Sequence, residues 1–321
     1  MGFMSCRSIF TKHSAEQSMK VLGNLPREKL GFHRQLSSSM AHSSPVKLAY
    51  ASYESAAGSS VAKAGAAPII IIHGLFGSKN NWNSLSKAIH QRTNRKVIAV
   101  DARNHGDSPH TSESTYSDMM EDVVLLVKDL GIEKAVMVGH SMGGRVMMFL
   151  ALNHPELIDK LVTVDISPVS SSSSLLSMTS IFEAMKNVTL EQNVTLSKAR
   201  KTTDQQLSTT IKSTAVRQFL LTNLVEAEAG KYKWRVNLPV LEKNFKTHLT
   251  KFPATTSQFM GPTLFIGGSQ SDYINVDDHD KIKKMFPAAK IQYISGAGHW
   301  VHSEKSQEFL DLITSFINEV Q

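Results

Sequence analysis

The pentapeptide GHSMG at residues 139–143 could make one serine hydroxyl chemically reactive. The apolar run 135–138 before it is typical of a buried strand, and the segment from Met142 onward has the composition of a helix. A sharp strand-to-helix turn strains the serine backbone and exposes the hydroxyl above the sheet edge. Glycines two residues either side permit this turn, because the strand and helix backbones approach too closely there for a side chain. The pattern predicts that Ser141 is a nucleophile.

A serine hydroxyl needs a base that takes its proton and a carboxylate that orients that base. At a turn of this kind, the carboxylate and then the histidine follow the serine along the chain. His299 is the expected base, because the glycines at 296 and 298 let its loop swing the ring over the serine. The alternative base is His302, although it stands at the start of the closing helix. Asp165 and Asp272 both lie between the serine and the histidine, and each follows a predicted strand.

A glycine-containing loop, HGLFG at residues 73–77, directly follows the apolar run PIIII at 68–72. Backbone N–H groups of such a loop can stabilise the oxyanion that forms when a serine attacks a carbonyl. We expect the N–H of Leu75 to be one donor of this oxyanion hole and the N–H of Met142 to be the other. The alternative is an ordinary turn at the end of a strand.

Strand-like and helix-like segments alternate along most of the chain, which predicts an α/β fold with a mostly parallel sheet and helices on both faces. The alternation stops over residues 168–259, where helix-like stretches such as 213–228 predict an inserted helical cap. Residues 46–167 and 260–321 then form the core. Predicted strands cover residues 45–53, 68–72, 97–101, 135–138, 161–165, 263–266 and 290–294, and predicted helices cover residues 82–90, 117–130 and 306–320.

The first 40 residues carry six Lys/Arg against two Glu, and a serine cluster follows Arg34. A basic, acid-poor segment of this kind is typical of a mitochondrial transit peptide, and we expect its removal near Leu36 or Ser37. The alternative is a disordered basic tail. The only cysteine, Cys6, falls in this segment. We therefore expect no disulfide in the mature chain, no metal and no cofactor.

The formal net charge of +7 is unevenly distributed, since residues 1–40 contribute +4 and the cap, with twelve Lys/Arg against six Asp/Glu, contributes +6. A basic cap favours acidic substrates or anionic membrane surfaces. A solvated charged face is the simpler interpretation. No apolar run approaches the roughly 18–20 residues that a membrane-spanning helix needs, so we expect no more than peripheral membrane contact. We expect no nucleic-acid partner.

Five motifs together resemble those of a known family. They are HGLFGS at 73–78, DARNHGDS at 101–108, VGHSMGG at 138–144, VDISP at 164–168 and GAGHW at 296–300. In this combination the chain resembles the α/β-hydrolase superfamily, and more narrowly the subfamily of mitochondrial abhydrolase domain-containing protein eleven with its bacterial esterase relatives. The likeness covers roughly residues 46–320. It implies an α/β-hydrolase fold and a mitochondrial serine hydrolase acting on esters, with lipid esters such as diacylglycerol as substrates of some members.

The resemblance also bears on the acid of the catalytic triad. In the commoner family pattern G-x-x-D-x-x-V the acid stands three residues after a glycine, a place that Ser271 occupies here. Asp272 is displaced by one residue. Asp165 ends the strand LVTVD next to the nucleophile strand, a location from which some superfamily members supply the acid. We therefore expect Asp165 to be the acid, with Asp272 as the alternative. A third position, used by some relatives after the WRVNL of the cap, holds Pro239 in this chain.

The expected reaction is hydrolysis of carboxylic esters through an acyl-enzyme on Ser141, with His299 acting first as base and then as acid. Cleavage of thioesters is one alternative. An alternative from another class is a binding protein that uses the same pocket without turnover and protects a mitochondrial enzyme complex. A complete set of nucleophile, base and acid favours the enzyme.

Overall fold

The computed structural model describes residues 44–54, 66–169 and 172–319 of the 321-residue chain. Its strands are β1 (Tyr50–Tyr53), β2 (Ile69–Ile72), β3 (Val97–Val100), β4 (Ala135–His140), β5 (Ile158–Val164), β6 (Leu224–Glu228), β7 (Lys231–Trp234), β8 (Thr263–Gly268) and β9 (Ala289–Ile294). Seven strands form one sheet in the order β1-β3-β2-β4-β5-β8-β9, while β6 and β7 form a separate hairpin. Only β1 runs antiparallel to its neighbour in the large sheet of the described chain. The predicted α/β fold with a mostly parallel sheet is confirmed.

The central strands of the sheet are buried on both faces, and β2 shows why its sequence lacks alternation. All four isoleucines of this strand are buried. Because successive side chains of a strand point to opposite faces, Ile70 and Ile72 pack into one apolar cluster and Ile69 and Ile71 into another. Complete burial of one such side chain is worth about 1.5–3 kcal/mol. A strand with two apolar faces is therefore held firmly at the centre of the core.

Helices cover the two faces of the sheet. Their bounds are α1 (Asn83–Thr93), α2 (Tyr116–Asp129), α3 (Met142–Asn153), α4 (Ser173–Asn187), α5 (Leu196–Leu207), α6 (Thr214–Leu221), α7 (Leu238–Asn244), α8 (His279–Met285), α9 (Val301–Glu304) and α10 (Ser306–Asn318). The apolar sides of α1 and α10 share one cluster, and those of α2 and α3 share the other. At the start of α2, the Thr115 hydroxyl accepts a hydrogen bond from the Asp118 N–H at 3.1 Å, and the Asp118 carboxylate accepts one from the Thr115 N–H at 3.1 Å. This reciprocal cap fixes where the helix begins.

Residues 168–259, predicted as a helical cap, connect β5 to β8, which are neighbours in the sheet. The insertion contains α4 to α7, a π-helical turn (Phe245–Leu249) and the β6–β7 hairpin. The helix predicted over residues 213–228 is therefore wrong beyond Leu221. Its Glu- and Ala-rich second half favours a helix, but Gly230 at φ 71° turns the chain so that Leu224 pairs with Trp234. Pairing across the turn outweighs the weaker local preference.

Hydrogen bonds between polar side chains and backbone groups join this cap to the core. The Asn223 side-chain amide donates to the Phe76 carbonyl at 2.8 Å, in the loop after β2. The buried Arg145 side chain of α3 donates to the Leu249 carbonyl at 3.1 Å. These contacts seat the cap over the ends of the strands that carry the predicted nucleophile and oxyanion loop.

The segment 1–40 lies outside the described residues, so the transit peptide and the place of Cys6 stay predictions. Across the ranges that the structure covers, no helix combines the length and the apolar character needed to cross a membrane.

Candidate active site

Ser141 occupies a sharp turn between β4 and α3, with backbone dihedrals φ 53° and ψ −117°. The neighbouring glycines are required by space. A Cβ added at Gly139 would lie 2.3 Å from the Gly143 carbonyl oxygen, and one added at Gly143 would lie 2.5 Å from the His73 carbonyl oxygen. The close backbone approach predicted from the GHSMG pattern is present, and it presents the serine hydroxyl at the carboxyl end of the sheet.

Three predicted side chains meet in one line of hydrogen bonds. His299 Nε2 lies 3.0 Å from Ser141 Oγ, and His299 Nδ1 lies 2.7 Å from Asp165 Oδ2. An ionised carboxylate only accepts hydrogen bonds, so Nδ1 carries the ring proton and Nε2 is left free to accept the serine proton. This arrangement suits proton transfer from the serine to the imidazole.

Asp165 is completely buried and reaches three donors. One carboxylate oxygen accepts the Gly268 N–H at 2.9 Å, and the other accepts the Ser271 hydroxyl as well as the His299 ring. Its own backbone has φ 50°, which turns the chain sharply away from β5. These contacts fix the carboxylate, and through it the tautomer and orientation of the imidazole.

Asp272, the alternative acid, points elsewhere. Its carboxylate accepts hydrogen bonds from the Ser173 hydroxyl at 2.8 Å and the Ser174 N–H at 3.1 Å, at the start of α4. Burial by itself raises the pKa of Asp272, but these bonds outweigh burial and lower it. Within the described residues, the carboxylate that bonds to the His299 ring is that of Asp165.

His302, the alternative base, is buried in a row of aromatic rings. It stacks on Trp82 with ring centroids 4.5 Å apart, and the centroid of the His140 ring also lies 4.5 Å from that of His302. Burial, followed by the charge of His299, lowers the pKa of His302 to about 3. A histidine held neutral in this way, without a described hydrogen bond to Ser141, is a packing residue of the site.

The two residues predicted to supply the oxyanion donors lie at the cavity that contains the serine. Leu75 and Met142 line the same cavity as Ser141, and within the described chain neither N–H is engaged in a hydrogen bond. The N–H of Met142 is the first of α3, where intrahelical partners are lacking and the helix dipole favours negative charge. The loop that carries Leu75 is fixed by Phe76, which has φ 62° and donates its N–H to His105 Nε2 at 3.2 Å.

Three residues that contact this line of hydrogen bonds were not predicted from the sequence. His140 places its Nε2 2.9 Å from the His299 carbonyl oxygen, Ser271 donates to Asp165, and Tyr273 stacks on the His299 ring. His140 and Ser271 belong to sequence patterns that predict roles for the residues beside them. The sequence showed that they were close to the site, but gave no sign of their partners.

A cavity of about 390 Å³ opens above Ser141, within the range usual for small-molecule sites. Its wall near the serine combines the loop after β2 with His299, and its wall farther away is largely apolar and belongs to the cap. The apolar cap residues that line it include Leu175, Met178, Ile181, Val216, Phe219, Leu220, Phe245 and Leu249. The Ser141 hydroxyl therefore lies at the base of a space suited to an apolar chain.

Known proteins share this combination of sequence and fold. The sequence profile of the α/β hydrolase fold matches residues 67–306. The sn-1-specific diacylglycerol lipase ABHD11 of Mus musculus is 48% identical over 249 residues, covering 78% of this chain and 80% of that protein. Esterase YbfF of Escherichia coli (strain K12) is 36% identical over 255 residues, covering 78% of this chain and 93% of that protein. The solved structure of a marine microorganism esterase has a TM-score of 0.75 at 32% identity, covering 84% of this chain and 99% of that one.

The family match covers most of the chain and includes every motif on which the resemblance was based. The topology of the sheet, the glycine-bounded serine turn and the order of the three polar side chains along the chain agree with it. The resemblance inferred from the motifs is confirmed: this chain belongs to the α/β-hydrolase family.

Proposed function

We propose that this protein is a serine hydrolase that cleaves carboxylic esters through an acyl-enzyme on Ser141. One observation carries the proposal: a continuous line of hydrogen bonds joins Ser141, His299 and Asp165 at the base of an apolar cavity. A line of this kind activates a serine that would otherwise be a poor nucleophile. The identity of the diacylglycerol lipase and esterase relatives supports the same reaction class.

In the first half of the reaction, Ser141 Oγ attacks the ester carbonyl while His299 Nε2 takes its proton. The N–H groups of Leu75 and Met142 donate hydrogen bonds to the oxyanion. These hydrogen bonds are stronger than those to the uncharged, planar carbonyl of the bound ester. Asp165 keeps the imidazolium oriented. His299 then gives its proton to the departing alcohol oxygen, and the acyl group stays on the serine.

In the second half, water enters where the alcohol has left. His299 takes a proton from that water, the resulting hydroxide attacks the acyl carbon, and the same two N–H groups hold the second oxyanion. Collapse of this intermediate releases the carboxylic acid and returns the proton to Ser141.

The apolar cap wall supports lipid esters as the substrate class. A fatty acyl chain gains about 0.8 kcal/mol for each CH₂ removed from water, and the cap presents leucine, methionine and phenylalanine side chains for this contact. The mouse relative is an sn-1-specific diacylglycerol lipase. Diacylglycerol is therefore the lipid ester that we propose, with action in the mitochondrion if residues 1–40 are a transit peptide.

The test is hydrolysis by the purified full chain of p-nitrophenyl esters of graded acyl length and of 1,2-diacylglycerol, with Ser141→Ala as the control. We expect turnover that rises with acyl length before it falls, and release of fatty acid from diacylglycerol. A parallel series of acyl thioesters measures preference for oxygen or sulfur. Binding of lipid without turnover of any ester would contradict the proposal and favour a non-catalytic binding protein.

A further inference from the structure

Three consecutive residues after β8, Ser271-Asp272-Tyr273, contact both the hydrolytic site and the cap; we call them the bridge segment. On the site side, the Ser271 hydroxyl donates to Asp165. The Tyr273 ring stacks on the His299 ring, with centroids 3.8 Å apart and planes inclined by 18°. The segment therefore touches two of the three residues of the hydrogen-bonded line.

On the cap side, the bridge segment holds the first turn of α4. Burial raises the pKa of the Tyr273 hydroxyl, and the neighbouring Ser172 side chain partly offsets this effect. Ser172 in turn caps α4 by accepting the Leu175 N–H at 2.7 Å. Asp272 places its carboxylate at the same helix end, where it accepts two hydrogen bonds. A negative charge at a helix N-terminus is favourable, so α4 and the bridge segment stabilise one another.

We propose that Tyr273 is a positioning residue for His299 and that α4 of the cap holds its ring in place. The inference rests on the proposed function and names a device of the same site. The bond to Asp165 fixes one ring nitrogen of His299 but leaves the ring free to tilt about that bond. The stacked Tyr273 ring restricts this tilt and keeps Nε2 directed at Ser141.

Stacking also suits the charge that appears during the reaction. When His299 takes the serine proton it becomes a cation, and the face of an aromatic ring attracts a cation. Within the described residues, the other titratable groups that face His299 are Asp165, from the end of β5, and His140 and His302, which burial holds neutral by lowering their pKa values. Tyr273 thus supports the imidazolium without adding a charge.

The chain offers a matched control for loss of a buried tyrosine. Tyr232 and Tyr273 are each 6% exposed. Tyr232 lies in β7 of the cap and donates its hydroxyl to the Val194 carbonyl at 2.6 Å. Its replacement therefore removes similar packing away from His299.

The experiment measures kcat and KM of the full chain for p-nitrophenyl butyrate, a short ester. We expect Tyr273→Leu to lower kcat on the order of 10²-fold, the scale of a small misplacement of a reacting group, with KM changed less than about threefold because substrate contacts persist. Tyr273→Phe keeps the ring and should restore kcat to within about tenfold of wild type. Tyr232→Leu should stay within about threefold.

The link to the cap has its own test. Asp272→Ala, a change at a partly exposed residue, should lower kcat by about fivefold, and should cause no further loss when added to Tyr273→Leu, because effects that act through one group are not additive. The Asp272→Ala variant also tests the proposal in the case that Tyr273→Leu does not fold. A wild-type kcat in Asp272→Ala would overturn the role of the cap. An unchanged kcat in folded Tyr273→Leu, or an equal loss in Tyr232→Leu, overturns the role of Tyr273. Failure of the wild type to hydrolyse any ester would instead refute the proposed function.

Discussion

Replacement of Asp165 by asparagine is expected to lower kcat by about 10² to 10⁴-fold while leaving the protein folded. The native carboxylate accepts hydrogen bonds from the Gly268 N–H, the Ser271 hydroxyl and the His299 ring. Asparagine has the same shape but only one acceptor oxygen, and its amide group donates. The buried site therefore cannot satisfy all three donors in the variant.

Two orientations of the asparagine amide set the range. With its oxygen toward Gly268, its NH₂ faces His299, whose Nδ1 must then accept. The ring proton moves to Nε2, which can no longer take the proton of Ser141, and the loss is on the order of 10⁴, or about 5.4 kcal/mol. With its oxygen toward His299, the NH₂ opposes the Gly268 N–H at a cost of about 1–3 kcal/mol. Only roughly a tenth to a hundredth of the molecules adopt this productive form, and they lack the carboxylate charge.

The assay is kcat for p-nitrophenyl butyrate in Asp165→Asn and Asp272→Asn, with melting temperatures to show that both variants are folded. Asp272 contacts the start of α4 and not the His299 ring, so its variant should lose roughly tenfold or less. The opposite ranking in folded proteins would show that Asp272 is the acid and that the contacts of Asp165 serve another purpose.

Three further predictions concern packing, pH and targeting. Gly143→Ala should lower the melting temperature and abolish turnover, because its Cβ would lie 2.5 Å from the His73 carbonyl oxygen and such overlap costs about 1–3 kcal/mol; an unchanged melting temperature would contradict the close approach. Burial lowers the pKa of His302 to about 3, so between pH 6.5 and 3 the unfolded chain binds a proton that the folded chain does not. This histidine alone should therefore remove about 2 kcal/mol from the free energy of unfolding by pH 5. In His302→Gln, the melting temperature should fall less between pH 7 and 5 than it does in the wild type. A fusion of residues 1–40 should carry a reporter into mitochondria, with the imported protein beginning within residues 35–41 by N-terminal sequencing; an intact Met1 in a soluble cytosolic pool would contradict this.

Features that depend on neighbouring residues could be predicted from the sequence. The isoleucine run of β2 indicated a strand with two buried faces, and all four side chains are buried. The glycines around Ser141 indicated a close backbone approach, and added Cβ atoms would collide there. In both cases the physical cause is local, either the period of a strand or the volume of one side chain.

Features that depend on distant residues could not be predicted. Chain order left Asp165 and Asp272 equivalent, because their separation from the His299 ring is set by how β5, β8 and β9 lie side by side. The sequence of β6 predicts a helix, because the pairing of this strand with β7 lies across the Gly230 turn, outside any local pattern. The contact of Tyr273 with His299 has the same origin, since two loops from different strands bring the rings together.

The central claim, that Ser141 is the acylated nucleophile, is tested most directly by labelling with a fluorophosphonate probe and mapping of the modified peptide. The hydrogen bond of Ser141 to His299 at 3.0 Å and its place at the base of the cavity predict one adduct, on the peptide that contains Ser141. Ser141→Ala should not react, while its melting temperature stays close to that of the wild type. Labelling of the alanine variant at the wild-type rate, or an adduct on another serine, would contradict the assignment.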